Sequence, residues 1–277
     1  MNENYHQLTK HYYYNKMSQN TTLFTNKEQQ LFFVLTGIFI TSAIVAEIIG
    51  AKIFSLEAFL GIAPAQISII EGFKIDFNMS VGVLIWPVVF IISDIVNEYF
   101  GKTGVKRMTF TAIGLIVYTF FVLYAATALP PAPFWLEVNY VSPKGNNFDI
   151  DYAYKTVFSQ GLNIIVASIV AFLLGQLVDA YTFHWFRVLT NNKKKWIRAT
   201  GSTLISQLID SFVILFLAFY VLGNWSFSQV IAVGIVQYAY KLTVAIAMTP
   251  IIYGSNYLIS NYLGKEKTET MLQNIMK

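Results

Sequence analysis

Asp94, Asn97 and Glu98 stand within five residues of one another in SDIVNEYFGK, at the end of a long apolar run. Offsets of three and four put them on one face of a helix. Farther along, GQLVD carries Gln176 and Asp179, and SQLID carries Gln207 and Asp210, each an amide and an acid three apart. Gln237 and Lys241 follow in QYAYK. Carboxylates accept hydrogen bonds; amides both accept and donate. One carboxylate can take two parallel N–H bonds from a guanine-like edge. Trp86, Tyr118, Tyr124, Tyr238 and Tyr240 offer flat faces, and stacking a base on such a face gains roughly 1–3 kcal/mol in nucleic-acid examples. These residue types suit recognition of a flat, nitrogen-rich heterocycle.

Bond-making chemistry finds no matching set. FGKTG at 100–104 resembles part of a phosphate loop, but Val96 stands where the Walker pattern needs glycine. His6, His11 and His184 are scattered, so no metal site is expected. Cysteine is absent, which excludes disulfides and thiol catalysis. No serine has a histidine and aspartate at triad spacing. The chain is read as a non-enzyme with no cofactor.

The elements that must carry these side chains are apolar. Of 277 residues, 55% are hydrophobic and 12% charged, about half the charged share of a soluble domain. A net charge of +4 is modest and too unevenly distributed to suggest nucleic-acid binding. Helices of roughly 20 apolar residues span a bilayer, and six windows qualify: 30–50, 79–98, 107–128, 158–182, 199–222 and 227–258. The last is long enough to tilt or to break near Pro250. Besides the residues above, Glu47, Gln160 and Asn163 fall inside spans. Polar groups in such helices face the bundle interior.

Lysine and arginine alternate across the loops. Lys10, Lys16 and Lys27, then Lys102, Lys106 and Arg107, then Arg187, Lys193, Lys194, Lys195 and Arg198, then the tail lysines all fall on one side. That predicts both termini in the cytoplasm. The fold class expected is an all-α integral membrane protein of six transmembrane helices. Residues 1–29 form a polar cytoplasmic leader whose tyrosine run at 12–14 can sit at headgroup level. Residues 30–260 form a six-helix transmembrane domain and 261–277 a short cytoplasmic tail. The loop at 51–78 suggests a hairpin or re-entrant piece over the external mouth. The loop from PPAPFW to 157 is a lid or an ordinary connector.

Several readings stay open at this stage. Asp210 and Lys241, both near mid-depth, can neutralise each other instead of binding a ligand. Glu98 can be a solvated helix end. The GQLVD–SQLID echo fits an inverted pair or chance. Small residues Ala43, Ala46, Gly50 and Ala51 in the first span can form a docking strip for a partner.

SDIVNEYFGK, GQLVDAYTF, SQLIDSFVIL and QYAYKLTVAIAMTP, in this order, resemble the queuosine precursor transporter family, also described as vitamin uptake transporters. The phrase D-x-x-N-E-x-(Y/F)-G at the end of a membrane helix carries the resemblance best, and the likeness covers about 30–260. It implies a bacterial inner-membrane importer of 7-deazaguanine bases such as preQ0 and preQ1, salvaged for queuosine in transfer RNA. It also implies a six-helix bundle like the substrate-binding subunits of energy-coupling-factor vitamin transporters. A capture subunit that needs an ATPase partner is therefore the alternative function. The resemblance maps Asp94, Asn97, Glu98, Gln176, Asp179, Gln207, Asp210, Gln237 and Lys241 onto the family motifs, with Trp86 as a flat face, as substrate-binding residues. The partners expected are a small deazapurine and the lipid bilayer, with a homodimer left open.

Overall fold

The computed structural model describes residues 26–275 apart from 51, 71–72, 142–146, 160–161 and 192. The leader with its tyrosine run, Ala51, Gln160 and the side chain of Asn163 lie outside the described residues. Helix α1 (Lys27–Ile49) starts where Asn26 accepts a hydrogen bond from the Glu28 amide at 3.3 Å, closing one of the free N–H groups of the first turn. Its buried residues, Leu35, Phe39, Ala43, Ala46 and Glu47, recur at three and four and form one inward stripe. Phe33, Val34, Ile38 and Val45 are exposed on the other faces. Ala43 and Ala46 therefore pack inward, and the docking strip expected for them is not on the outer surface.

The segment after α1 builds two small antiparallel pairs. Strand β1 (Ile53–Ser55) leads into helix α2 (Leu56–Leu60), then β2 (Ile67–Ile70), β3 (Phe73–Ile75) and β4 (Asn78–Ser80). β1 pairs with β4, and β2 with β3. The hairpin expected here is thus β2–β3. Glu57, 2% exposed, ties the segment together. Its carboxylate accepts from the Phe77 amide at 2.7 Å, the Ala65 amide at 3.4 Å and the Ser55 hydroxyl at 3.0 Å. The Phe77 N–H foremost holds the Glu57 carboxyl below its ordinary range.

A short 3₁₀ turn at Val81–Leu84 enters helix α3 (Trp86–Ala128), which has proline in its first turn. The windows 79–98 and 107–128, expected as separate helices, are two helical segments that follow one another across a kink, 43 residues in all. A straight helix of that length is about 65 Å long, more than a bilayer with its headgroups. It is not straight. Gly101 has φ 64° and ψ −171°, a conformation essentially confined to glycine. The supposed polar loop after it remains helical, so a single residue makes the turn.

Helices α4 (Pro133–Val138) and α5 (Ile150–Phe158) occupy the next connection. Helix α6 (Leu162–Leu189) packs most extensively on α7 (Lys195–Leu215), which a π-helical turn, Phe216–Val221, continues. Helix α8 (Phe227–Leu263) opens with a reciprocal cap: the Gln229 amide donates to the Ser226 hydroxyl at 3.3 Å, and the Ser226 amide to the Gln229 side chain at 2.8 Å. It runs through Pro250 without ending. Helix α9 (Lys265–Asn274) follows. Among the described residues, five helices are long and apolar enough to cross a membrane: α1, α3, α6, α7 with its π turn, and α8.

Contacts at one end of the bundle bring the chain's described extremes together. Lys27 donates to the Tyr262 carbonyl at 3.0 Å, Tyr262 to Gln30 at 2.9 Å, and Lys267 to Asn26 at 2.7 Å. The Gly101 bend lies at this end too, since a Cβ on Gly101 would sit 3.1 Å from Ile275 Cγ2.

Gly101→Ala is expected to cost about 1–3 kcal/mol through its backbone conformation, with crowding against Ile275 added. Thermal unfolding of the purified variant in detergent should show a lower midpoint; an unchanged midpoint would show that the bend does not depend on glycine. Glu57 gives a pH prediction. Its carboxyl is lowered on folding, so its stabilisation is complete above the unfolded value near 4.3 and is lost as pH falls through the folded value. The protection of the Phe77 amide relative to its intrinsic exchange rate should hold at pH 5 and fall only below the ordinary glutamate range. Glu57→Ala should remove it at neutral pH.

Candidate functional site

A cavity of about 710 Å³ opens among α1, α3, α6, α7 and α8, within the size range of small-molecule sites. Phe77, Asn78, Met79 and Ser80, from the segment knotted by Glu57, form part of its wall. Trp86, Phe90 and Phe172 line one side. The Trp86 ring stacks on Phe90 with centroids 6.0 Å apart and meets Phe172 at 5.6 Å. Such a wall suits a planar ligand.

The polar groups on the wall differ in how well the protein satisfies them. Asp179 is saturated: Asn97 donates to it at 3.1 Å, Ser206 at 3.4 Å and Ser93 at 3.5 Å. The single Ser93 proton is shared, and lies nearer the Gln176 side-chain oxygen, at 2.9 Å. Glu47 accepts from Ser168 at 2.9 Å. Lys241 donates to Asp210 at 2.6 Å, both side chains about one-quarter exposed.

Asp94 and Gln207 are different. Both are 3% exposed and both line the cavity. Asp94 Oδ1 and Gln207 Oε1 are buried and accept no hydrogen bond from any described residue. A buried acceptor left without a donor costs about 1–3 kcal/mol. Two of them on one cavity wall form a place where a ligand's N–H groups bring the missing donors.

Glu98 lies apart from this wall and is not a solvated helix end; it is 3% exposed. Its carboxylate accepts from Arg187 Nη2 at 2.7 Å and Arg198 Nε at 2.9 Å, and Arg198 Nη2 bonds its other oxygen. Both arginines are at most 2% exposed. Arg187 also donates to the carbonyls of Glu98 at 2.9 Å and Asn97 at 3.3 Å. Those carbonyls belong to the last turn before Gly101, where a helix end leaves acceptors free.

Of the ten residues expected to bind substrate, the structure brings Trp86, Asp94, Gln176, Asp179, Gln207, Asp210, Gln237 and Lys241 to one cavity. Asn97 stands behind the wall, holding Asp179, and Glu98 holds two arginines. Tyr240 lines the cavity. Tyr238 does not, and Tyr118 and Tyr124 are 64% and 66% exposed on the outside. Glu47, Ser93, Ser168 and Ser206 also serve the site but were not among those ten. An acid within an apolar span marks Glu47, whereas nothing in the local sequence distinguishes the serines. Arg187 and Arg198, expected as loop charges, are interior ion-pair partners. The echo of GQLVD and SQLID is a spatial pairing as well, because Gly175 backs onto Asp210: a Cβ on the glycine would lie 3.4 Å from that of the aspartate.

A family model described as "Putative vitamin uptake transporter" matches residues 80–255. The chain belongs to this family. The matched stretch contains every residue of the expected set and leaves out Glu47. Among curated proteins, the chain is 24% identical over 184 residues to a "Probable queuosine precursor transporter" of Bacillus subtilis, covering 66% of this chain and 73% of that one. It is 26% identical to a protein of the same name from Haemophilus influenzae, covering 65% and 68%. It is 22% identical to the "Queuosine precursor transporter" of Escherichia coli, covering 65% and 73%. No solved structure matches. The cavity and its polar wall thus belong to a multi-pass membrane protein of a transporter family.

Neutralising Glu98 would take the carboxylate charge away from two buried guanidinium groups. Glu98→Gln is expected to lose about 3–5 kcal/mol of stability, as when one partner of a buried ion pair is deleted. The measurement is folded yield and melting midpoint in detergent. A variant that folds as well as the parent would show that the cluster is dispensable.

Proposed function

We propose that the chain imports a 7-deazaguanine base, such as preQ0 or preQ1, across the bacterial inner membrane for salvage into transfer-RNA queuosine. The observation that carries this reading is the pair of unsatisfied acceptors, Asp94 Oδ1 and Gln207 Oε1, on the wall of a cavity that also has an aromatic side. The pyrimidine edge of a guanine-like base carries a ring N–H beside an exocyclic amine. Asp94 takes those donors, Gln207 completes the set, and Trp86 with Phe90 and Phe172 bounds the plane. Gln176, Asp179, Gln237 and the Asp210–Lys241 pair form the remaining polar wall. Asn97 and Glu98 serve the site from behind.

The topology that goes with this function has six crossings and both termini in the cytoplasm. The start of α1 and the end of α8 meet at one end of the bundle, so an even number of crossings lies between them. Five long helices give an even number when α3 counts twice, once on each side of Gly101. Lys193 and Lys194 are exposed at this end, which favours the cytoplasmic side. On this topology residues 1–29 are a cytoplasmic leader, 30–260 the transporter domain and 261–277 a tail, in a bundle laid out like an energy-coupling-factor capture subunit. The inward packing of Ala43 and Ala46, two of the four small residues that spoke for an ATPase partner, weighs against it, so transport by this chain alone is the reading favoured.

Uptake of labelled preQ0 and preQ1 into cells unable to make them is the test. Parent protein should restore accumulation. Asp94→Asn puts amide hydrogens where the ligand's donors must approach. It should weaken binding about 10- to 150-fold, the equivalent of a charged hydrogen bond worth roughly 1.5–3 kcal/mol, with membrane levels unchanged. Parent-like uptake by Asp94→Asn would take Asp94 out of the site. Failure of the parent protein to bind or carry either base would sink the assignment.

A further inference from the structure

Outside the cavity, a cationic cluster lies on the outer surface between α3 and α6, at the end of the bundle that holds the Gly101 bend. Lys106 Nζ donates to the Tyr181 hydroxyl at 2.7 Å and stands 4.7 Å from the centre of its ring. Lys102 Nζ approaches the same ring to 5.3 Å. The two ammonium groups are therefore within about one Debye length of each other. They are also four apart on one helix face, where like charges repel. Among the described residues, no carboxylate pairs with either lysine. The ring faces attract both cations, but they do not neutralise them.

Tyr181 is 51% exposed, and Trp185, one turn farther along α6, is 56% exposed. Amphipathic aromatics of this kind sit at headgroup level. The Tyr181 oxygen accepts from Lys106, so its own O–H is left to donate outward. The cluster thus presents two ammonium groups and a phenol hydroxyl together, at the depth where phosphates of the lipid lie. Basic pockets between membrane helices bind anionic headgroups in this way.

We propose that Lys102, Lys106 and Tyr181 form a binding site for a phosphate anion, supplied by the headgroup of an anionic lipid at this end of the bundle. Two positive charges and one neutral donor match a phosphodiester with its negative charge spread over two oxygens. A zwitterionic headgroup brings its own cation into the same space and fits poorly. The site is separate from the cavity, so it bears on lipid dependence and not on cargo recognition.

Delipidated full-length protein is tested by native mass spectrometry and thermal shift with phosphatidylglycerol, with phosphatidylcholine and with inorganic phosphate. Phosphatidylglycerol is expected to remain bound and to raise the melting midpoint, and phosphatidylcholine is not. Lys102→Gln/Lys106→Gln should weaken phosphatidylglycerol binding about tenfold or more, and Tyr181→Phe should weaken it less. The matched double variant Lys193→Gln/Lys194→Gln, which removes the same charge nearby, should bind as the parent does. Inorganic phosphate reproducing the shift at millimolar concentration, lost in Lys102→Gln/Lys106→Gln, would keep the phosphate site but overturn the lipid as its source. Equal loss in both double variants, or none in Lys102→Gln/Lys106→Gln, would overturn the proposal.

Discussion

The ion-pair cluster of Glu98 with Arg187 and Arg198 holds the rest of the bundle in place. It joins α3, α6 and α7 through side chains at most 4% exposed. Its attraction alone does not explain its presence, because desolvating three charges costs several kcal/mol each. What it adds is geometry. Arg187 spends one nitrogen on the carboxylate and on the carbonyls of Asn97 and Glu98, the acceptors exposed where Gly101 breaks the helix. The bend and the cluster need each other: the bend frees carbonyls inside a membrane protein, and a buried guanidinium satisfies them where water is scarce.

From this fixed end, the face shared by Asp94, Asn97 and Glu98 extends through three environments in little more than one turn. Glu98 is in the ion-pair cluster, Asn97 supports Asp179, and Asp94 reaches the cavity. A helix advances 1.5 Å per residue, so these roles are stacked within about 6 Å. Displacing the cluster would therefore move Asp94 as well. The same coupling runs through α6 and α7, where Gly175 lets Asp210 approach closely enough for Lys241 to complete the pair.

The apolar spans and the polar side chains within them were legible in the sequence because lipid is an unforgiving solvent. A carboxylate in a run such as VGVLIWPVVFIISDIV has few places to go except inward. Eight of the ten residues singled out do reach one cavity. The misreadings came from positions where local sequence looks the same in two environments. Lys102, Lys106 and Arg107 resemble loop charges, yet the chain there is helical and one glycine makes the turn. Arg187 and Arg198 also look like loop charges, and only the fold reveals Glu98 as their shared partner. Tyr118 and Tyr240 both fall inside apolar spans; one faces outward and the other the cavity, a difference set by how the helices are rotated against each other. Serines such as Ser93 and Ser206 carry no local mark, since a hydroxyl can always satisfy itself on its own helix.

The two classes of buried polar group in this cavity separate holding from reading. Asp179, ringed by Asn97, Ser93 and Ser206, has its donors in the protein; a ligand gains little by displacing them, because it must replace bonds already made. Asp94 Oδ1 and Gln207 Oε1 accept none from the described residues, so a ligand with N–H groups there would gain the difference between an unsatisfied and a satisfied acceptor. On the proposed function, the stability lost by leaving them open becomes binding energy when a base with N–H groups enters. The same arithmetic confers selectivity, since an apolar molecule of equal size would leave both acceptors as it found them.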